Sequence, residues 1–145
     1  MIDNPKIIGP FEQVGFPEFG MDDVTAKIDT GAFTGALHCT KIEETDSEEG
    51  KVLRFSPFDH PELTITTAEY VIKQVKSSNG ERQRRYFIKT AITVHGERYK
   101  ILLSLADRSE MKSAVLIGRR FLRRNHFLVD VRKMNQYGDE GKDSI

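Results

Sequence analysis

The chain has 145 residues, 38% of them apolar and 30% charged, which suits one globular domain with an adequate core and leaves little room for two. Its 22 basic and 22 acidic side chains cancel, so no net charge draws it to nucleic acid. No run of about 18 apolar residues and no charged-then-apolar leader is visible, so neither a membrane span nor a secretory signal is expected and the reading is a soluble, cytoplasmic protein. The single cysteine, Cys39, can form no internal disulfide, which agrees with a reducing compartment. The charge is unevenly spread: residues 1–50 hold 3 basic and 11 acidic side chains, and residues 51–145 hold 19 and 11. Either a basic face or an interleaving of the two halves follows from that.

In chain order, Ile7-Ile8 and Phe11 to Val14 read as a weak opening strand broken at Gly9-Pro10 and ended by Phe16-Pro17. Gly20 to Asp23 turns into an apolar run, Val24 to Ile28. Phe33 to Ile42 alternates as a strand with one buried face. The acidic stretch Glu43 to Gly50 reads as a solvated loop, Val52 to Phe55 as a strand, and Pro57, Asp59 and Pro61 as a loop before Leu63 to Thr66. Tyr70 to Val75 and Arg84 to Ile88 flank Ser77-Ser78-Asn79-Gly80, and Asn-Gly between β-prone runs is a strong hairpin signal. A second hairpin, Ala91 to Val94 with Tyr99 to Leu103, turns at His95 to Arg98. Asp107 to Glu110 then leads to Val115 to Ile117, Gly118 to Arg124 is a short helix, and Phe127 to Val131 is the last strand. Residues 1–134 are expected to form the domain, and 135–145 a polar, frayed tail. Many short strands and tight turns predict a mainly β protein with a closed or folded-over sheet and one short C-terminal helix.

The chemistry concentrates at Ala26-Lys27-Ile28-Asp29-Thr30-Gly31-Ala32. A short apolar strand delivers a carboxylate, Asp29, to a turn where Thr30 supplies a hydroxyl, Gly31 removes a side-chain clash and Ala32 stays small. Far downstream a second apolar strand ends in Leu116-Ile117-Gly118 ahead of Arg119-Arg120-Phe121-Leu122. This pairing resembles the retropepsin-like aspartic proteases. Within that superfamily Ser77-Ser78-Asn79-Gly80, Leu105-Ala106-Asp107-Arg108-Ser109-Glu110-Met111 and Leu128-Val129-Asp130 are similar to a bacterial and archaeal group labelled ATP-dependent zinc protease. Members of that group are associated with a ligase that adds glutamates to a ribosomal protein.

The resemblance implies a β barrel of the acid-protease type, Asp29 as the catalytic carboxylate, Thr30, Gly31 and Ala32 as its support, and the hairpin at Ser77, Ser78, Asn79 and Gly80 as a flap over substrate. The insertion at about 43–61 loosens that flap assignment. Aspartic protease chemistry needs two carboxylates close enough to share a proton, because like charges that near cannot both ionise easily. The chain holds one Asp-Thr-Gly and no second such turn. A homodimer is therefore expected to pair Asp29 with its symmetry mate. A catalytically silent peptide-binding dimer of the same fold is the alternative.

No His-Glu-x-x-His spacing supports zinc, no phosphate-loop glycine pattern supports ATP, and no cofactor is called for. His38 beside Cys39 hints weakly at a nucleophile and base, against the plainer reading of a small buried thiol. Asp107-Arg108 reads as a structural salt bridge within a turn, ahead of a role near the site. Arg82, Arg84 and Arg85 follow the hairpin tip, and with Arg119, Arg120, Arg123 and Arg124 they raise nucleic-acid binding as a third reading, weakened by the absence of any nucleic-acid motif or interleaved aromatic platform. The sharper expectation is that Arg82, Arg84 or Arg85 attracts an acidic or glutamate-rich peptide.

Overall fold

The computed structural model describes residues 6–76, 79–109 and 111–133. Its strands are β1 (Lys6–Ile8), β2 (Phe11–Phe16), β3 (Met21–Ile28), β4 (Gly35–Ser47), β5 (Gly50–Pro57), β6 (Ile65–Thr67), β7 (Tyr70–Lys76), β8 (Arg82–Val94), β9 (Glu97–Ala106), β10 (Val115–Ile117) and β11 (Phe127–Val129). The described helix is α1 (Arg119–Arg124), and a 3-10 turn, Pro17–Phe19, joins β2 to β3.

The expected closed sheet is present. Neighbouring strands run β10, β3, β2, β8, β9, β4, and β4 pairs back to β10, so six strands close into a barrel. Closure happens at the site's own strands. Leu116 lies opposite Lys27 of β3 in a parallel pair and opposite Ala36 of β4 in an antiparallel one. Only closure removes the free edges of such a sheet. Val14, Ile28, Leu37, Ile92, Leu103 and Ile117 belong to one buried cluster, the apolar halves of alternating strands. A separate two-stranded sheet pairs β1 with β11 in parallel, Ile7 opposite Leu128. Phe127 stacks on Phe121 of α1 at 5.7 Å, and Tyr99 meets Phe121 edge-on at 5.6 Å, which ties helix and small sheet to the barrel.

Three expectations change. Glu43 to Ser47 is strand, not solvated loop: Glu43 pairs with Arg54, Thr45 with Val52 and Asp46 with Lys51, and the turn at Gly50 takes a φ of +116°. A polar composition conceals a strand when its partner, and not its own periodicity, fixes the extended backbone. The insertion is thus largely a β4/β5 hairpin with a bulge between Thr40 and Glu43. Second, Arg84 to Ile88 and Ala91 to Val94 are one continuous strand, β8, which serves both predicted hairpins, pairing with β7 on one side and β9 on the other. Third, β11 ends at Val129, two residues short of the expected Val131. The charge asymmetry resolves as interleaving: Lys51 reaches Asp46 at 3.1 Å and Arg84 reaches Glu44 at 3.3 Å. The expected tail at 135–145 and the flap residues Ser77 and Ser78 lie outside the described residues.

Candidate active site

Asp29 stands immediately beyond β3, where the barrel closes. Its backbone N–H donates to the carbonyl of Ile117 at 2.9 Å, and its own carbonyl accepts the Ala32 N–H at 3.2 Å, making Asp29 to Ala32 a tight turn. One carboxylate oxygen, Oδ1, accepts the Gly31 N–H at 3.0 Å. The other, Oδ2, has no hydrogen-bond partner among the described residues. A Cβ added to Gly31 would lie 3.3 Å from Oδ1, so the glycine is what lets its amide approach the carboxylate. Thr30 is exposed, and its hydroxyl makes no bond within the described part of this chain.

The loop after the turn is held from the other side by the start of α1. The Arg119 and Arg120 N–H groups donate to the carbonyls of Ala32 (2.8 Å) and Phe33 (3.1 Å), and the Arg119 guanidinium donates through Nη1 to the Gly31 carbonyl at 3.0 Å. Both guanidiniums also lie over the exposed Phe33 ring, at 5.4 and 5.8 Å. Gly118 makes this approach feasible, since a Cβ there would fall 2.7 Å from the Phe33 carbonyl and 2.9 Å from that of Ala32. The Asp-Thr-Gly turn and the Leu-Ile-Gly-Arg segment, 88 residues apart for the Gly31 and Arg119 pair, are therefore one unit.

A second support comes from β4. His38 of β4 is buried, at 2% exposure. Its Nδ1 accepts the Arg108 N–H at 2.7 Å, which assigns the ring proton to Nε2, 2.9 Å from Asp59 Oδ1. The expected Asp107–Arg108 salt bridge does not form. Asp107 instead accepts from the Ser109 hydroxyl and N–H, which hold its carboxyl below the usual carboxylate range, and its Oδ1 lies 3.8 Å from His38 Nδ1. Arg108 turns the other way, donating through Nε to the Ser113 carbonyl at 3.1 Å. Burial holds its guanidinium below the usual arginine value, the charge of Arg85 lowers it further, and the charge of Asp29 acts in the opposite sense. The Arg108 guanidinium thus feels the charges of both Arg85 and the candidate catalytic carboxylate. Only the sequence motif Asp107-Arg108-Ser109 signalled it; burial and neighbours decided its role.

The hairpin arginines divide. Arg84 is taken by Glu44, whose other oxygen accepts the Tyr70 hydroxyl at 2.5 Å. Arg82 is exposed at the start of β8, and Arg85 is half-buried toward Arg108. Asn79 Oδ1 accepts the Glu81 N–H at 3.2 Å, and Gly80 has a φ of +90°, the geometry of a tight tip. Cys39 is fully buried, and burial pushes its thiol up to about 12, which removes it as a nucleophile. His38, His60 and His95 each take a different carboxylate, Asp59, Glu62 and Glu12, and among the described residues no three potential ligands converge on a metal position.

The comparisons with known proteins agree with this geometry. Two curated proteins named "Probable alpha-L-glutamate ligase" are similar over most of this chain: one from Shewanella pealeana, 31% identical over 97% of the chain, and one from Shewanella halifaxensis, 32% identical over 90%. The chain spans only about a third of their length, 32% and 29%. A crystal structure of a Legionella pneumophila protein of unknown function superposes with a TM-score of 0.73 at 24% identity, covering 92% of this chain and 98% of that one, and shows the same fold. Residues 7–138 match the family model described as RimB-like, retropepsin-like aspartic endopeptidase RimB. With Asp29-Thr30-Gly31 locked to Ile117-Gly118-Arg119 at the seam of a closed barrel, this chain belongs to the RimB-like family of retropepsin-like aspartic endopeptidases.

Proposed function

We propose that the chain is an aspartic endopeptidase whose active pair is Asp29 and the Asp29 of a second identical chain, and that its substrates are acidic peptides. The observation that carries the reading is the Asp29 carboxylate itself: one oxygen is fixed by the Gly31 N–H while the other, at the barrel seam, has no partner among the described residues. A second copy related by a two-fold axis supplies the twin carboxylate, and the two share one proton because both cannot ionise side by side. The ionised member takes a proton from a water as that water attacks the peptide carbonyl. The protonated member donates to the carbonyl oxygen; as the C–N bond breaks, the member that took the water proton passes it to the departing amine, and the hydroxyl of the tetrahedral intermediate returns a proton to the first donor. Thr30, exposed beside the carboxylate, is placed to bond across the axis. The hairpin of β7 and β8 covers the substrate and excludes water.

Acidic substrates are supported by Arg108, whose guanidinium feels the charges of Arg85 and Asp29, and by the name of the curated relatives, which puts α-L-glutamate in their chemistry. The test is hydrolysis of a peptide library by the purified chain, with Asp29→Asn as control and sedimentation to measure assembly. Activity falling by about 10²- to 10⁴-fold in Asp29→Asn, together with a dimer, supports the reading. A chain that binds acidic peptides without cleaving them at any pH instead supports the silent peptide-binding dimer. A strict monomer overturns both.

A further inference from the structure

A cavity of about 890 Å³ lies against β3, its lining reaching along the strand to Lys27, two residues before Asp29, and including Phe11, Thr25, Phe58, Lys112 and Ala114. Strand alternation puts Asp23, Thr25 and Lys27 on one face, with Ala26 and Ile28 buried on the opposite one, and half-buried Asp29 follows directly where the strand ends. Lys27 therefore precedes Asp29 by about 6.6 Å along the strand, the repeat of two residues in an extended chain. Lys112 faces it from the segment that leads into β10, beyond the Ser113 carbonyl that anchors Arg108.

The cavity is electrically polarised. Neither lysine forms an ion pair among the described residues. The acids on its lining, Asp23 and Asp22, lie about 13 and 16 Å from Lys27 along the strand. Asp23 is already engaged by the Gln13 amide, and His60 by Glu62 at 3.1 Å. The end nearest Asp29 thus carries two lysines with no ion pair among the described residues, and Phe11 and Phe58 add apolar surface to the same lining.

We infer that Lys27 and Lys112 form a specificity pocket that receives an acidic side chain of an extended peptide, about two residues along from the bond addressed by Asp29. The apolar walls fit the methylenes of a glutamate side chain, and the two ammonium groups fit its carboxylate. The pocket is separate from the hairpin arginines and fixes the register in which an acidic chain is read. It deepens the endopeptidase reading and rests on it only for the position of the scissile bond.

Two measurements separate the pocket from the protease reading. In the first, kcat/KM is compared for matched peptides carrying Glu or Gln at successive positions, with Lys27→Gln, Lys112→Gln and the charge-preserving Lys27→Arg. The preference for Glu over Gln is expected at one position, to fall about fivefold with each Gln substitution and to survive in Lys27→Arg. In the second, Asp29→Asn binds a fluorescein-labelled Glu-rich peptide, read by anisotropy at two salt concentrations. Affinity that weakens in the Lys27→Gln and Lys112→Gln backgrounds supports the pocket even where no peptide is cut and the protease reading falls. Cleavage or binding whose Glu preference is unchanged in both lysine variants overturns the pocket and leaves the protease reading intact.

Discussion

The backbone N–H of Arg108 donates to Nδ1 of buried His38 at 2.7 Å, so a side chain of β4 holds the segment whose guanidinium feels the charge of Asp29. His38 is packed on every side, and its other ring nitrogen meets Asp59. Removing the ring leaves a cavity and orphans the Arg108 amide. His38→Ala is expected to lose about 3 kcal/mol, and the melting temperature to drop by about 8 °C. Urea unfolding and calorimetry check this. A change of under about 0.5 kcal/mol would show that the 107–114 segment is held by something else.

Gly118 and Gly31 predict opposite outcomes for the same substitution. Gly118→Ala drives a methyl into backbone atoms of residues 32–34 at 2.7 to 2.9 Å, so the loop after the Asp29 turn must move, at about 3 kcal/mol. Gly31→Ala meets only Asp29 Oδ1 at 3.3 Å, and its φ is outside the left-handed region. Its stability is expected within about 1 kcal/mol of the parent, with activity reduced because the carboxylate is displaced. Denaturant midpoints and peptide turnover, measured on both variants, separate folding from function.

Cys39 is buried, and its thiol is raised to about 12 chiefly by that burial. At pH 8 it is expected to resist iodoacetamide and disulfide reagents until the chain unfolds, because the thiolate is the reactive form. Labelling followed by mass spectrometry over a urea series should track global unfolding. Fast labelling in the native protein would contradict this placement.

Two groups set pH limits of opposite sign. The Thr90 hydroxyl and Ala91 N–H donate to Glu18, and these bonds lower its carboxyl below the ordinary 4.5. Its stabilisation is complete above that value and is lost as pH falls through the lower folded value, so Glu18→Gln should flatten the acid limb of a stability profile. The hydrogen bond to Glu44 raises the Tyr70 hydroxyl from 10 to about 12. The contribution of Tyr70 is present below pH 10 and lost as pH rises toward 12, and Tyr70→Phe should remove that alkaline decline. Unfolding curves taken from pH 3 to 12 test both.

The order of the strands, the two hairpins, the short helix and the Asp29-Thr30-Gly31 turn were legible in the sequence because each is written in local periodicity or turn chemistry, as at Asn79-Gly80 and Val24 to Ile28. Tertiary structure decided what local pattern cannot encode. Glu43 to Ser47 became strand through its partners in β5, and β8 became continuous because it serves two neighbours at once. Arg108 was moved out of its turn salt bridge by the lock from His38, 70 residues away, and Arg84 was consumed by Glu44, 40 residues away. Which groups pair with which depends on burial and on partners distant in the chain, and those are set only when the barrel closes.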